Sequence, residues 1–221
     1  MNSQVMEDSV DLAIREMHLF KTFMEGVISH FSNDPSLNMI RNPIIHTIKH
    51  RIKDPDHIRE KISRKWCDND PINVDNIFQR ITDIAGVRIL HLYRDQFPDI
   101  HRFIAKRVED RDWFFVEDPI AYSWDPESKF FFEKLGLRVD IKDSYYTSIH
   151  YLIKPKEISH VCCEIQVRTL FEEIWGEIDH SLNYPVCTNS FACGEQIKVL
   201  SKLVATGSRL ADSIFRTASI Q

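Results

Sequence analysis

The sequence predicts an α+β fold: a mixed β-sheet of about five strands surrounded by α-helices, forming one structural domain. Three observations predict it. Apolar residues recur at helical spacing near both ends of the chain, β-branched and aromatic runs with period-two alternation lie between them, and the strand and helix patterns are interleaved. A length of 221 residues suits a single well-packed domain, with no internal repeat, glycine-rich linker or second hydrophobic core evident.

From about Val5 to Phe31, the residues Leu12, Met17, Phe20, Phe23, Met24, Val27, Ile28 and Phe31 form a helical stripe that SNDP closes. PIIHTIKHRI (43–52) reads as a strand, and the Asp54–Asp56 turn opens a charged helix to about Trp66. ITDIAGVRILHLY (81–93) is a turn followed by a strand, and FPDIHRFIAKRVED is the next helix. WFFVED (113–118) is strand-like, the stretch to about Leu135 has some helical character, and LRVDI (137–141) is expected to form a hairpin with the strand after it.

That next strand, DSYYTSIHYLI (143–153), places Tyr146, Ser148 and His150 on one face and Tyr145, Thr147, Ile149, Tyr151 and Ile153 on the other. A polar row on a sheet is either solvated or lines a site. VCCEIQVRTL (161–170) is a further strand, running into the helix FEEIWGEIDHSLNY (171–184), which Pro185 ends. An amphipathic helix from about Phe191 to Phe215 follows. The expected organisation is an N-terminal helical segment (1–43), a core (44–185) and a C-terminal helix packing on it (186–221).

With 43% hydrophobic and 28% charged residues, the chain has the composition of an ordinary globular protein. Its net charge of -5 argues against nucleic-acid binding by bulk electrostatics and leaves room for a local basic cleft. The five cysteines form no CxxC pair or zinc-like arrangement with the ten histidines, so reduced thiols are expected. An acidic, amphipathic N-terminus and the lack of a membrane-length apolar run predict a soluble, cytoplasmic protein with no membrane partner.

Three segments carry potential chemistry. CEIQVRT puts Glu164, Gln166 and Arg168 on one strand face, Asp83 lies five residues before Arg88, and HRIKDPDHIREKISRK supplies Arg51, Lys53 and Lys61. Taken singly, each has an ordinary explanation: a solvated edge strand, a capping aspartate, a solvated helix face. Together they provide two carboxylates able to hold a hard cation, several cations and a tyrosine, which is the inventory of metal-assisted phosphoryl transfer. Such chemistry requires alignment and charge stabilisation, without a covalent nucleophile.

In order and separation these segments resemble the RelA/SpoT-type nucleotide pyrophosphokinase domain, over about residues 44–185, in the form of a single-domain small alarmone synthetase. EIQVRTLFEEIWGEIDHSLNYP is similar to the family's E-I-Q-[IV]-R-T strand and W-x-E-[IL]-[DE]-H-x-[LI]-x-Y helix, and HRIKDPDHIREKI to its R-[IV]-K-[ST]-P-x-S-I-x-x-K segment. TDIAGVRI resembles D-[IL]-x-[AG]-x-R-[IV], and KDSYYTSIHY resembles K-x-x-G-Y-x-S-[ILY]-H. The resemblance implies a nucleotidyltransferase-like sheet and transfer of pyrophosphate from ATP to the 3′-hydroxyl of GDP or GTP, releasing AMP. It further implies that Asp83 and Glu164 hold magnesium, with Glu164 orienting or deprotonating the attacking hydroxyl. Arg51 and Arg88 would stack on adenine; Lys53 and Lys61, with His57 nearby, would contact the ATP phosphates. Tyr146 would stack on the acceptor base, with Lys142 and His150 near its phosphates and Gln166 and Arg168 in support.

The chain departs from the family pattern where Tyr145 replaces a glycine, where His57 replaces a serine, and in the long aromatic segment EDPIAYSWDPESKFFFEKLGL. Similar departures occur in toxic relatives that act on adenosine nucleotides or on the 3′ end of tRNA, so those acceptors remain alternatives. A basic patch of Lys49, Arg51, Arg59, Arg64 and Lys65 suits tRNA, and the negative net charge suits a free nucleotide. Retention of Asp83 and Glu164 argues against a non-catalytic nucleotide sensor. Asp179 and His180 lack upstream histidine partners for a metal-dependent hydrolase, and His180 is expected to be structural. Neither a hydrolase domain nor a C-terminal regulatory region is expected, and the oligomeric state and any antitoxin partner stay open.

Overall fold

The computed structural model describes residues 3–67, 69–183 and 190–218. Helix α1 (Ser3–Asn33) buries Phe20, Met24, Val27 and Phe31 of the predicted stripe together with Val10 and Ala13, while Leu12, Met17, Phe23 and Ile28 are partly buried against the core. After β1 (Thr47–Ile52), Asp54 caps α2 (Pro55–Lys65) by accepting hydrogen bonds from the backbone N–H groups of Asp56 and His57, both at 3.0 Å. Pro55 at the first position costs this helix no hydrogen bond. The short α3 (Ile77–Arg80) leads to β2 (Ala85–His91), a 3₁₀ turn (Arg94–Gln96) and α4 (Phe97–Glu109). Then come β3 (Phe114–Phe115), β4 (Ile120–Ser123), α5 (Pro126–Lys134), β5 (Arg138–Ile141), β6 (Ser148–Lys154), β7 (Cys163–Thr169), α6 (Leu170–Asn183) and α7 (Phe191–Ala218).

The mixed sheet has seven strands, where the sequence suggests about five, in the order β1-β2-β7-β6-β4-β5, with β3 also paired to β6. Pro119, which has no N–H to donate, separates β3 from β4, and β4 lies in the stretch for which the sequence suggests some helical character. The expected hairpin between 137–141 and the following strand is absent. β5 instead lies parallel to β4, with α5 as the crossover that a parallel pair requires, and β6 returns antiparallel on the other side of β4. The first residues of DSYYTSIHYLI are therefore a connecting loop, and the strand begins at Ser148.

The main core includes α1 residues together with Phe97, Phe103, Trp113 and Tyr151. A second, small cluster, which the sequence reading did not anticipate, joins Trp175 of α6 to Ile197 and Val204 of α7, with Tyr145, Tyr146 and Leu200 packed against it. Pro185, expected to end α6, and Cys187 lie outside the described residues; Cys67, Cys162, Cys163 and Cys193 are free thiols. Among the described residues no helix is long and apolar enough to cross a membrane.

Candidate active site

Directly paired residues on neighbouring strands share a face, and the register of β1, β2, β7 and β6 builds the site from rows one pleat apart. One row runs Lys49, Arg88, Gln166, His150; the next runs Arg51, Gly86, Glu164. Helix α6 forms the opposite wall. Between them lies an open cleft of about 540 Å³ into which Arg51, Arg88, Tyr146, Glu164, Gln166 and Arg168 all project, facing Trp175, Gly176, Glu177 and His180 of α6.

Five side chains singled out in the sequence close a ring of hydrogen bonds. Arg168 Nη2 donates to the Tyr146 hydroxyl and, at 2.8 Å, to Gln166 Oε1. Gln166 Nε2 donates to Glu164 Oε2 at 2.8 Å, while Glu164 Oε1 lies 3.0 Å from His150 Nδ1. His150 Nε2 is 2.9 Å from the Tyr146 hydroxyl, which completes the circuit. Because a carboxylate only accepts, Nδ1 carries the proton toward Glu164 and Nε2 accepts from Tyr146. Burial opposes the ionisation of Glu164, and the bonds from His150 and Gln166 nevertheless hold its carboxyl below the ordinary carboxylate range.

Asp83, just before β2, is the second carboxylate. Lys53 Nζ is 3.1 Å from its Oδ2 and Lys61 Nζ is 2.6 Å from its Oδ1. Burial raises the Asp83 pKa, but the two ammonium groups outweigh it and keep the carboxylate ionised. Asp83 is also close enough for its charge to oppose the ionisation of Glu164. The lysines expected at the ATP phosphates are thus joined to a candidate metal ligand. His57 sits on the first turn of α2, against the Asp54 carboxylate. Lys142 pairs with Asp140 at 2.7 Å and lies 4.5 Å above the Tyr122 ring, whose neighbour, edge-on at 4.9 Å, is His150.

Tyr145 has φ 63°, in the left-handed region that glycine occupies without strain. The tyrosine at this position is held by Trp124, with ring centroids 5.1 Å apart, and by the small cluster at α6 and α7. The loop carrying Tyr146 is thereby fastened to the helical wall.

Sequence reasoning missed the acidic side of the cleft. Glu173, with its side chain only 5% exposed, meets Lys49 at 2.9 Å, Arg88 at 2.8 Å and Arg168 at 3.3 Å. Glu177 reaches Arg88 at 2.7 Å. The available signal was the helical spacing of Glu173, Glu177 and His180, which places all three along one side of α6. His180, expected to be structural, lines the cleft. In the supposed tRNA patch, Lys49 pairs with Glu173, and Arg59 pairs with Glu7 at 3.0 Å and Asp56 at 2.8 Å.

A cation-bearing sheet face with two ionised carboxylates and a tyrosine, roofed by an acidic helix, has the chemistry that phosphate-bearing ligands and a hard cation require. The chain belongs to the RelA/SpoT family: the family described as "Region found in RelA / SpoT proteins" matches residues 50–189. The GTP pyrophosphokinase YwaC of Bacillus subtilis strain 168 is 29% identical over 190 residues, covering 81% of this chain and 77% of the relative. The GTP pyrophosphokinase YjbM of the same strain is 30% identical over 170 residues, covering 74% and 67%. Among solved structures, the small alarmone synthetase 1 from Bacillus subtilis has a similar fold, with a TM-score of 0.74 at 22% identity over 94% of this chain and 97% of the other. The same enzyme bound to its product pppGpp gives a TM-score of 0.71 at 22% identity over 93% and 97%.

Proposed function

We propose that the protein is an ATP-dependent pyrophosphokinase that transfers pyrophosphate to the 3′-hydroxyl of GDP or GTP, making (p)ppGpp and releasing AMP. The observation that carries this reading is the ring joining Tyr146, a surface for the acceptor base, to Glu164, an ionised carboxylate fit to receive a hydroxyl proton. The names of the curated relatives, both GTP pyrophosphokinases, favour the same acceptors. The acceptor oxygen attacks the β-phosphorus of ATP, the bond between the α- and β-phosphates breaks, AMP leaves, and the hydroxyl proton passes to Glu164. Arg51 and Arg88 grip the adenine, and Lys53, Lys61 and His57 serve the triphosphate. Lys142, His150, Gln166 and Arg168 hold the acceptor.

Magnesium fits the donor set. Asp83 and Glu164 supply two ionised oxygen ligands, and the described residues contain no cluster of three or more His, Cys, Asp or Glu side chains that would enclose a metal. Two carboxylates suit an ion that completes its shell with water and substrate phosphates, and bound magnesium would neutralise charge developing on those phosphates. A free nucleotide is favoured over tRNA because Lys49 and Arg59 of the basic patch are already paired with acids. We place the enzyme in the cytoplasm, where its nucleotide substrates are.

The test is incubation of the protein with γ-labelled ATP and magnesium and, separately, GDP, GTP, ADP, ATP or bulk tRNA. Label should move to GDP and GTP, and Glu164→Gln should lower transfer at least ~100-fold, as loss of a positioned proton acceptor does. Label on tRNA alone, with a steep loss of activity as salt rises, would overturn the acceptor assignment.

A further inference from the structure

The two arginines at the centre of the cleft belong, on the proposed reading, to different substrates: Arg88 to ATP and Arg168 to the acceptor. They meet on the same two side chains. Glu173 Oε1 accepts from Lys49 at 2.9 Å and from Arg88 Nη1 at 2.8 Å, while Glu173 Oε2 faces Arg168 Nη1 at 3.3 Å. Each carboxylate oxygen therefore serves one half of the site. Gln166 Oε1 forms a second bridge, accepting from Arg88 Nε at 3.2 Å and from Arg168 Nη2 at 2.8 Å.

These bridges join buried groups. The Glu173 side chain is buried on the inner side of α6, and Arg168 is 5% exposed, with its Nε donor committed to Ser148 and its Nη2 donors to Tyr146 and Gln166. A guanidinium is a flat fork of fixed geometry, so rotating it to suit a ligand at one edge moves the donors at the other. Arg168 also lies 4.9 Å over the Tyr146 ring. A shift of Arg88 on ATP binding would therefore be transmitted through Glu173 to Arg168 and to the Tyr146 ring.

We infer that Glu173 is a positioning residue that couples the two nucleotide sites, so that occupation of the ATP side tightens the acceptor side and the reverse. The inference rests on the function proposed above. It gives α6 a role beyond forming a wall, because the helix holds the carboxylate between the two arginines. Glu177 supplies an internal control: it contacts Arg88, on the ATP side, at 2.7 Å and Lys49 of β1 at 3.9 Å.

The experiment is equilibrium binding in magnesium, titrating a non-hydrolysable ATP analogue with and without GDP, and GDP with and without the analogue. In the unaltered protein each nucleotide should tighten the other by the same factor, at least about fivefold, as linkage requires. Glu173→Gln should bring that factor close to one, and Glu177→Gln should weaken the analogue while preserving the factor. A purely structural role for Glu173 would weaken both nucleotides and leave the factor unchanged, which would overturn the inference. If Glu173→Gln fails to show a cooperative melting transition, Glu173→Asp is decisive: it keeps the charge but is too short to span both guanidiniums, and retained coupling would refute the proposal. Failure of the unaltered protein to bind the analogue or GDP would count against the proposed function itself, whereas binding of both with a factor of one would defeat this inference alone.

Discussion

Glu164 shows how a single carboxylate is prepared for proton transfer. Its burial alone would favour the neutral acid, and it stays ionised because His150 and Gln166 donate to its two oxygens. On the proposed mechanism, activity should therefore persist to pH values below the ordinary carboxylate range. His150→Gln removes the imidazole that most strongly offsets burial, so the Glu164 pKa should rise. The acid limb of the kcat/KM profile should move to higher pH. A pH series on both proteins checks this, and an unmoved limb would remove His150 from that role. The residue types of the ring were legible in the sequence because strand alternation aligns Glu164, Gln166 and Arg168. Tyr146 was grouped with Ser148 and His150 by the same rule, although it precedes the strand; its hydroxyl lies 2.9 Å from His150 Nε2, carried by a loop in which the neighbouring Tyr145 has φ 63°.

Among the elements, α6 joins the most functions. It follows β7 without a loop, so the arginine at the end of the strand and the helix's own first turns face each other. Gly176 permits the approach: a Cβ there would lie 2.9 Å from Arg168 Nη1. Gly176→Ala should push the guanidinium out of its notch and raise the acceptor KM about tenfold, equivalent to ~1.4 kcal/mol. Alanine is the better helix former by about 1 kcal/mol, so the melting temperature should hold or rise. Steady-state kinetics with thermal melting separates the two effects, and an unchanged acceptor KM would mean that Arg168 relocates without loss. Local patterns located α6 well, but the β5 and β6 pairing was misjudged. Neighbours in sequence read as a hairpin until α5 is recognised as a crossover, and the aromatic run Phe130–Phe132 carried no clear helical period to reveal it.

At the scale of the molecule, His91 links stability to pH. It ends β2, is 2% exposed, and its Nδ1 lies 2.9 Å from the Tyr93 carbonyl, to which it donates. Burial lowers its pKa from 6.5 to about 4, and the bond to Tyr93 only partly offsets this. The unfolded chain binds a proton below pH 6.5 that the native state refuses until about pH 4, so this contribution is complete above 6.5 and lost as pH falls through that window. The full difference corresponds to roughly 3 kcal/mol. Urea unfolding at pH 7 and pH 4.5 should show a smaller loss for His91→Gln than for the unaltered protein; equal losses would mean that His91 does not titrate on unfolding.

By itself the sequence determined the fold class, the helices at both ends, the two catalytic carboxylates as candidates and the family motifs, because these depend on local periodicity and on side-chain chemistry at short spacing. Only the tertiary structure decided the seven-strand order, the lysines on Asp83, the small cluster beneath α7 and the bridging place of Glu173. Lys49, Arg88 and Arg168 lie on three different strands, and nothing local in the chain specifies that these strands pair in the order β1-β2-β7. That order follows from burying the core face of the sheet and completing the backbone hydrogen bonds across the whole sheet, and a carboxylate on α6 acquires its three cations only after the sheet has formed.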